Sequence, residues 1–275
     1  MAASVSSLPV GRLDESGSTV EIGGIPIFLQ SDDKDFRRLI EDRYEGFVNA
    51  SAEPACQLEI HLHAPGGRMP GEVQVSRSGS LWSIERGDFR AEFDARSRRG
   101  WVHQSPNPYS LDAVMRIIHS LVLAEEGGFL LHAASGVRNG RAFVFAGVSG
   151  AGKTTMARLA PPDATLLTDE ISYIRRSVDG YHAYGTPFAG ELARVGTNVQ
   201  APLGAVYFLE KGPENRIVPM SDPDAAHALI RNILFFAHDP SLVERVFEGA
   251  LEFVSRVPTA RLVFTPDERA WELIR

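Results

Sequence analysis

The chain has 275 residues, of which 44% are hydrophobic and 23% are charged, and its formal net charge is −7. This composition is ordinary for a globular protein with a core, and the negative charge argues against general affinity for nucleic acid or anionic membranes. The single cysteine excludes an internal disulfide and a cysteine cluster for zinc, and the eight histidines are not spaced as metal ligands.

The N-terminal segment is rich in serine and glycine and shows no periodicity, so we expect a flexible leader over residues 1–18. It lacks the basic and apolar segments of a signal peptide, and no apolar run in the chain reaches the roughly 20 residues that cross a bilayer. We therefore expect a cytoplasmic protein without a membrane or nucleic-acid partner. The sequence leaves the oligomeric state open.

Residues 19–108 are predicted to form a β-rich α+β region that is mostly antiparallel and contains one helix. Asp33 can cap that helix, in which Phe36, Ile40 and Tyr44 recur at helical spacing. Alternating apolar and polar residues, separated by turn-forming segments, indicate strands at 19–22, 25–29, 58–63, 73–75, 81–84, 89–93 and 101–103.

Prolines around residue 107 interrupt this pattern, and we place the boundary of a second domain, residues 109–275, at that point. A helix that begins at Ser110 or Asp112 and ends at Gly127 opens this domain. Further on, the pattern predicts strands at 165–168, 171–174, 203–210, 217–218 and 261–264, and helices at 223–237 and 241–254.

The dipeptide Asn139-Gly140 predicts a hairpin between two adjacent antiparallel strands. The first of these strands contains His132, and the second leads into a glycine-rich segment, so the hairpin would bring His132 close to that segment. Two interpretations of His132 stay open: a hydrogen-bonded core histidine, or a residue that orients Asp169 or a phosphate.

The glycine-rich segment is the strongest motif of the chain. Residues 143–155 read FVFAGVSGAGKTT, and residues 147–154 match the pattern GxxxxGK[ST] without a mismatch. The preceding apolar run is typical of a strand, and residues 155–160 suit the first turns of a helix. A glycine-rich turn with an incidental lysine is the alternative.

This setting predicts a phosphate-binding loop. Glycines permit backbone conformations that turn several N–H groups toward one point, where the following helix also presents its positive end. Lys153 would neutralise the outer phosphates and the Thr154 hydroxyl would bind Mg²⁺. The predicted nucleotide-binding residues are Gly147, Val148, Ser149, Gly150, Ala151, Gly152, Lys153, Thr154 and Thr155.

An acidic pair, Asp169 and Glu170, follows the strand predicted at 165–168. A nucleoside triphosphate needs a metal ion, and carboxylates at a strand end can face the loop. One carboxylate can hold Mg²⁺ directly or through water, while the other accepts a proton from an attacking hydroxyl. The alternative is a helix cap or a surface pair.

Three segments, HAASGV, GVSGAGKTT and LLTDEISYI, together resemble the C-terminal catalytic domain of HPr kinase/phosphorylase, and more closely its shorter bacterial relatives, the HPr-kinase-like serine kinases. The resemblance covers residues 130–265 and implies the P-loop fold that HPr kinase shares with phosphoenolpyruvate carboxykinase. It further implies that Asp169 is the general base, that Glu170 contacts metal or phosphate, and that His132 completes the site.

The family usually has two aspartates where this chain has Asp169 and Glu170, so the second carboxylate reaches one methylene further. The family's Glu- and Arg-containing signature corresponds here to the segment GTPFAGELAR. By that resemblance Glu191 and Arg194 would contact the substrate. The region before residue 109 does not resemble the N-terminal domain of HPr kinases, so HPr itself is not implied as the acceptor.

The sequence therefore predicts an α/β protein, with a β-rich α+β N-terminal region before a P-loop kinase core. Its expected activity is ATP- and Mg²⁺-dependent transfer of the γ-phosphoryl group to a hydroxyl, either a serine of a protein or peptide or a small alcohol. A nucleotide-binding regulatory ATPase without an acceptor is the alternative. The sequence does not distinguish ATP from GTP or pyrophosphate as donor.

Overall fold

A computed structural model describes residues 16–64 and 71–275. Over these residues the chain forms two β-sheets and five α-helices, with strands dominating. The predicted mixed α/β class is confirmed at this level.

The first sheet has seven strands in the order β1-β2-β3-β7-β6-β5-β4. Strand β3 is parallel to both of its neighbours and the other pairs are antiparallel, so the predicted, mostly antiparallel region is confirmed. The strands are β1 Gly17–Ile22, β2 Ile25–Gln30, β3 Cys56–Leu62, β4 Gln74–Ser78, β5 Leu81–Arg86, β6 Phe89–Asp94 and β7 Arg99–Gln104.

The predicted leader is too long at its C-terminal end. Gly17 and Ser18 already belong to β1, where they pair with Gln30 and Leu29 of β2. This pairing supplies long-range hydrogen bonds that the polar composition of the segment does not reveal. Residues 1–15, which make up the rest of the predicted leader, lie outside the described residues.

Helix α1 (Lys34–Arg43) connects β2 to the parallel strand β3. The Asp33 carboxylate accepts a hydrogen bond of 2.8 Å from the backbone N–H of Phe36, which confirms the predicted cap. Phe36 and Ile40 form the buried face of the helix. The local signals of cap and spacing therefore suffice to place this element.

The second sheet has nine strands, and five of them, β8, β11, β12, β13 and β9, pair in a closed ring. The strands are β8 Phe129–Arg138, β9 Arg141–Ala146, β10 Thr165–Thr168, β11 Ile171–Ser177, β12 Gly180–Tyr184, β13 Gln200–Lys211, β14 Arg216–Pro219, β15 Ile233–Leu234 and β16 Thr259–Phe264. The helices are α2 Pro108–Glu126, α3 Lys153–Arg158, α4 Asp222–Ile230, α5 Pro240–Arg256 and a 3₁₀-helix Glu268–Leu273.

Helix α2 begins two residues before the first predicted start. The Asn107 side chain accepts a hydrogen bond of 3.0 Å from the N–H of Tyr109, and Pro108 occupies the first turn, so the predicted starts at Ser110 and Asp112 are wrong. Both of these side chains are buried and bonded to distant groups instead. The C-terminal end is as predicted, with Gly127 in the left-handed conformation at φ 78°.

The helix predicted over residues 223–237 ends at Ile230, seven residues early. Ile233 and Leu234 form the short strand β15, which pairs with the N-terminal half of β8. Phe235 and Phe236 follow in irregular structure and are partly buried against the core. Residues 233–234 form a strand instead of continuing the helix, because pairing with β8 satisfies backbone N–H and C=O groups on both strands.

Helix α2 packs in one continuous hydrophobic core with the seven-stranded sheet. Its buried residues, among them Val114, Ile118 and Leu121, belong to the same cluster as Trp82 and Phe93 of that sheet. The same cluster extends to Leu130, Ile171 and Tyr173 of the second sheet. The two sheets are therefore joined through α2 rather than separated by a gap in the packing.

A buried ion pair reinforces this junction. Arg43, the last residue of α1, contacts the Asp112 carboxylate of α2 at 2.6 Å, and the Tyr44 hydroxyl donates to the same carboxylate at 2.8 Å. Arg43 also donates to the backbone carbonyl oxygen of Pro187, at 3.1 Å. The N-terminal region is thereby tied both to α2 and to the segment that precedes Gly190.

Replacing Arg43 with alanine should lower the free energy of unfolding by about 2–3 kcal/mol, because the Asp112 side chain, only 6% exposed, would lose its cation. Urea denaturation measures this change. Exposed Arg38 of the same helix offers a matched control, and its replacement should have little effect. Equal stability of the R43A and R38A variants would show that the ion pair does not support the junction.

Candidate active site

Strand β8 brings the predicted site segments together. Ala133 of β8 pairs with Ala146, the last residue of β9, and its N–H donates to the carbonyl oxygen of Glu170 at 2.9 Å. His132, the preceding residue, lies opposite Ile171 of β11. The predicted hairpin at Asn139-Gly140 is confirmed, and it places His132 near the start of the glycine-rich loop.

The glycine-rich loop runs from Gly147 to Gly152 between β9 and α3, so the predicted order of strand, loop and helix is confirmed. Gly150 and Gly152 adopt left-handed conformations at φ 77° and 111°. A Cβ atom on Gly152 would lie 2.6 Å from Phe264 Cζ, and one on Gly147 would lie 2.8 Å from Ala151 Cβ. A larger residue at position 152 would collide with the Phe264 ring, and one at position 147 would collide with the Ala151 side chain.

Lys153 folds back over this loop. Its ammonium group donates to the carbonyl oxygens of Gly147 at 2.9 Å and Val148 at 3.2 Å, and the residue is 8% exposed. Burial lowers the pKa of Lys153, while the negative charges of Glu170 and Glu191 act in the opposite direction. The charges of two predicted site carboxylates, Glu170 and Glu191, therefore act on the lysine cation.

Asp169 is held by backbone amides. It lies in the two-residue link between β10 and β11 and is 3% exposed. One carboxylate oxygen accepts from the N–H of Gly190 at 2.8 Å, and the other accepts from the N–H of Leu192 at 2.9 Å. Such a buried, oriented carboxylate is neither a helix cap nor a surface group, so that alternative is wrong for Asp169.

Glu170 is half-buried and faces several charges. Burial is the main cause that raises its pKa; Arg116 lowers it, Asp169 and Glu191 raise it, and Lys153 lowers it. The negative charge of Glu170 raises the pKa of Lys153, and the positive charge of Lys153 lowers the pKa of Glu170. The metal or phosphate contact of Glu170 stays a prediction.

Replacing Glu170 with glutamine should raise the melting temperature by about 2 °C at pH 8. Since the pKa of Glu170 is raised in the folded state, its ionised form destabilises that state above the raised pKa, and this penalty fades as the pH falls toward the ordinary value of 4.5. Thermal denaturation from pH 4 to 8 measures the effect. A difference between E170Q and the unmodified protein that does not shrink at low pH would contradict it.

The remaining predicted residues differ in their surroundings. His132 is partly exposed, and burial together with the nearby Lys153 charge lowers its pKa, so its imidazole is neutral at pH 7. Glu191 is exposed but acts on both Lys153 and Glu170. Arg194 is exposed, and its predicted substrate contact stays a prediction.

Two features of the site escape sequence reasoning. One is the contact of the segment 186–192 with Asp169, because the sequence predicts only a substrate contact for that segment. A Cβ atom on Gly190 would lie 2.5 Å from a Glu170 carboxylate oxygen, so this glycine permits the close approach. The other is Arg116 of α2, whose charge acts on Glu170. The available signal was a single arginine inside the apolar run of that helix.

No group of three or more His, Cys, Asp or Glu side chains is arranged to hold a metal ion within residues 16–64 and 71–275. Proteins usually hold Mg²⁺ through one or two carboxylates and the phosphates of a substrate. Thr154, in the first turn of α3 and partly exposed, remains the predicted hydroxyl ligand. Over the same residues no helix combines the length and apolar character that crossing a membrane requires.

Comparison with known proteins places this site in a family. Residues 109–275, more than half of the chain, match the family described as SynChlorMet cassette protein ScmC. The chain belongs to this family. The region shared with the ScmC family begins in the first turn of α2 and contains the loop, the acidic pair, His132 and Arg116, whereas the seven-stranded sheet precedes it. No curated protein matches the chain.

Proposed function

We propose that this member of the ScmC family is an ATP- and Mg²⁺-dependent kinase of the HPr-kinase-like type, which transfers the γ-phosphoryl group to a hydroxyl acceptor. The observation that carries the proposal is the proximity of a P-loop lysine to an acidic pair. The negative charge of Glu170 raises the pKa of Lys153, and Asp169 directly precedes Glu170 in the chain. Ala133 also links the two segments, since it pairs with Ala146 next to the loop and its N–H donates to the carbonyl oxygen of Glu170. This supports treating the loop and Asp169 as parts of one site.

The loop has the properties that a polyphosphate requires. Positive φ angles at Gly150 and Gly152 set the backbone in the conformations of an anion-binding loop, and the tip of the loop is exposed. Lys153 now donates to two carbonyl oxygens of the loop. Phosphate oxygens are stronger acceptors for an ammonium group than neutral carbonyls, so we expect them to replace these partners.

Asp169 is suited to the role of general base. Its two backbone partners fix the orientation of the carboxylate, and each oxygen retains a lone pair because a carboxylate offers about four acceptor sites. In the proposed step, Asp169 takes the proton of the acceptor hydroxyl while the acceptor oxygen forms a bond to the γ-phosphorus. The bond from that phosphorus to the bridging oxygen breaks, and ADP leaves with the electron pair.

The other residues bind and orient. Thr154 and Glu170 would hold Mg²⁺, whose chemistry is to neutralise charge on the β- and γ-phosphate oxygens. His132 is neutral at pH 7 and lies near Lys153, so its ring can donate or accept a hydrogen bond without adding charge. We assign the acceptor contact to Glu191, because it is exposed and its charge acts on Lys153.

The test is to incubate the purified protein with Mg²⁺, γ-labelled ATP and lysate of the source cells, and to follow the label. Transfer predicts label on a distinct acceptor that resists chase with unlabelled ATP. Release of labelled inorganic phosphate without a labelled acceptor would favour a regulatory ATPase instead. Parallel reactions with labelled GTP identify the preferred donor.

A further inference from the structure

Arg116 lacks the partner that its position in α2 would ordinarily provide. It lies one helical turn after Asp112, at the spacing where a carboxylate and a guanidinium often pair. The Asp112 carboxylate is occupied by other groups, since the Tyr44 hydroxyl donates to one oxygen and Arg43 to the other. Among the described residues, Arg116 consequently forms no ion pair.

The Arg116 guanidinium group stacks on an aromatic ring, but its buried Nε–H has no hydrogen-bond acceptor among the described residues. Its central carbon lies 4.8 Å from the centroid of the Phe188 ring, a side chain that is 1% exposed. Arg116 Nε is buried, and within the described residues it has no hydrogen-bond partner. Stacking on an aromatic face orients the planar group but leaves its N–H donors free, and a buried donor without an acceptor is unfavourable.

The charge of Arg116 acts on the candidate active site. Arg116 is the cation that acts most strongly on Glu170, and Lys153 is the next. These two cations come from different elements, α2 and the start of α3. The Glu170 carboxylate lies against Gly190, two residues after Phe188, because a Cβ atom on Gly190 would lie 2.5 Å from its oxygen. Phe188, which carries the guanidinium, is two residues before Gly190, whose N–H holds Asp169.

From this arrangement we propose that Arg116 binds the terminal phosphate of the nucleoside triphosphate, as a second cationic ligand in addition to Lys153. The inference rests on the proposed function. A guanidinium fork can donate two parallel hydrogen bonds to phosphate oxygens, which a lysine cannot do. Charge spreads over these oxygens as the phosphoryl group moves, so the same contact would support transfer.

The test compares the affinities of the protein for Mg²⁺-AMP-PNP and Mg²⁺-ADP, measured by titration calorimetry. In the R116M variant we expect the Kd for AMP-PNP to rise about tenfold or more, as for a lost charge-assisted hydrogen bond, while the Kd for ADP changes less than about twofold. R116K keeps a positive charge but not the fork, and should show a smaller loss. The R38A variant, which replaces an exposed arginine on α1, should match the unmodified protein for both ligands.

Each other outcome rejects the inference. Equal weakening of both ligands would mean that Arg116 acts through Glu170 and the metal site rather than on the terminal phosphate. Unchanged affinities would mean that Arg116 has no role in binding. If the unmodified protein binds neither nucleotide, the proposed function fails as well, and that result is distinct from a failure confined to the Arg116 variants. Should R116M fail to fold, as judged by thermal denaturation, the R116K ratio decides.

Discussion

Replacing Asp169 with alanine should lower the rate of phosphoryl transfer by about 10²–10⁴-fold, while the Kd for MgATP changes less than about threefold. The expected loss is large because Asp169 is the proposed base, and two backbone amides hold its carboxylate in one orientation. Binding should survive because the phosphates are held by the loop and Lys153. Single-turnover kinetics with labelled ATP and calorimetry measure the two quantities separately.

The D169N variant separates the base from its structural role. Asparagine keeps one acceptor oxygen for the amides of Gly190 or Leu192 but cannot take up a proton. A loss as large as that of D169A is expected if Asp169 is the base. Transfer by D169N close to the original rate would show that the residue only holds the segment 186–192. Exposed Asp35, replaced by alanine, provides the control.

Replacing Lys153 with methionine should weaken MgATP binding by about 10- to 100-fold and abolish measurable transfer, because the triphosphate loses its charge-assisted partner in the loop. The melting temperature should change by less than about 2 °C. Burial lowers the pKa of Lys153, which means that its charge disfavours the folded state, and methionine fills a similar apolar path without that charge.

Exposed Lys211 serves as the matched control, and its replacement by methionine should alter neither binding nor stability. A K153M protein that binds MgATP as tightly as the unmodified chain would contradict the assignment of the loop. A K153M protein that is strongly destabilised would contradict the interpretation that the buried charge of Lys153 opposes folding.

The parts of the fold that the sequence predicts are those with local causes. The cap of α1 needs only Asp33 and an N–H three residues away, and the hairpin at Asn139-Gly140 needs only two residues with positive φ. The glycine-rich loop is likewise specified by its own residues, since Gly150 and Gly152 adopt conformations that other residues avoid. These elements could be placed before any tertiary contact was known.

The parts that the sequence does not predict depend on residues far apart in the chain. Strand β15 forms because Ile233 and Leu234 pair with residues of β8 that lie about one hundred positions earlier in the chain. The amides that hold Asp169 lie about twenty residues after it, in a segment without a regular pattern. The Asp112 carboxylate, one turn before Arg116, binds Arg43 of α1 instead, a contact that no local pattern predicts.

The N-terminal region accordingly has a physical connection to the candidate chemistry. Arg43 binds the carbonyl oxygen of Pro187, Phe188 stacks on Arg116, and Gly190 holds Asp169. A single short segment therefore joins α1 to the acidic pair. The seven-stranded sheet also shares a hydrophobic core with α2, although it precedes the region that matches the ScmC family.

A crystal structure with AMP-PNP and Mg²⁺ tests the central claim most directly. We predict the phosphates over the amides of residues 147–154, with Lys153 released from the carbonyl oxygens of Gly147 and Val148 and bound to phosphate. The Asp169 carboxylate should face the terminal phosphorus at a distance that leaves room for a hydroxyl. A nucleotide bound elsewhere, or an Asp169 side chain directed away from the phosphates, would contradict the assignment as a kinase.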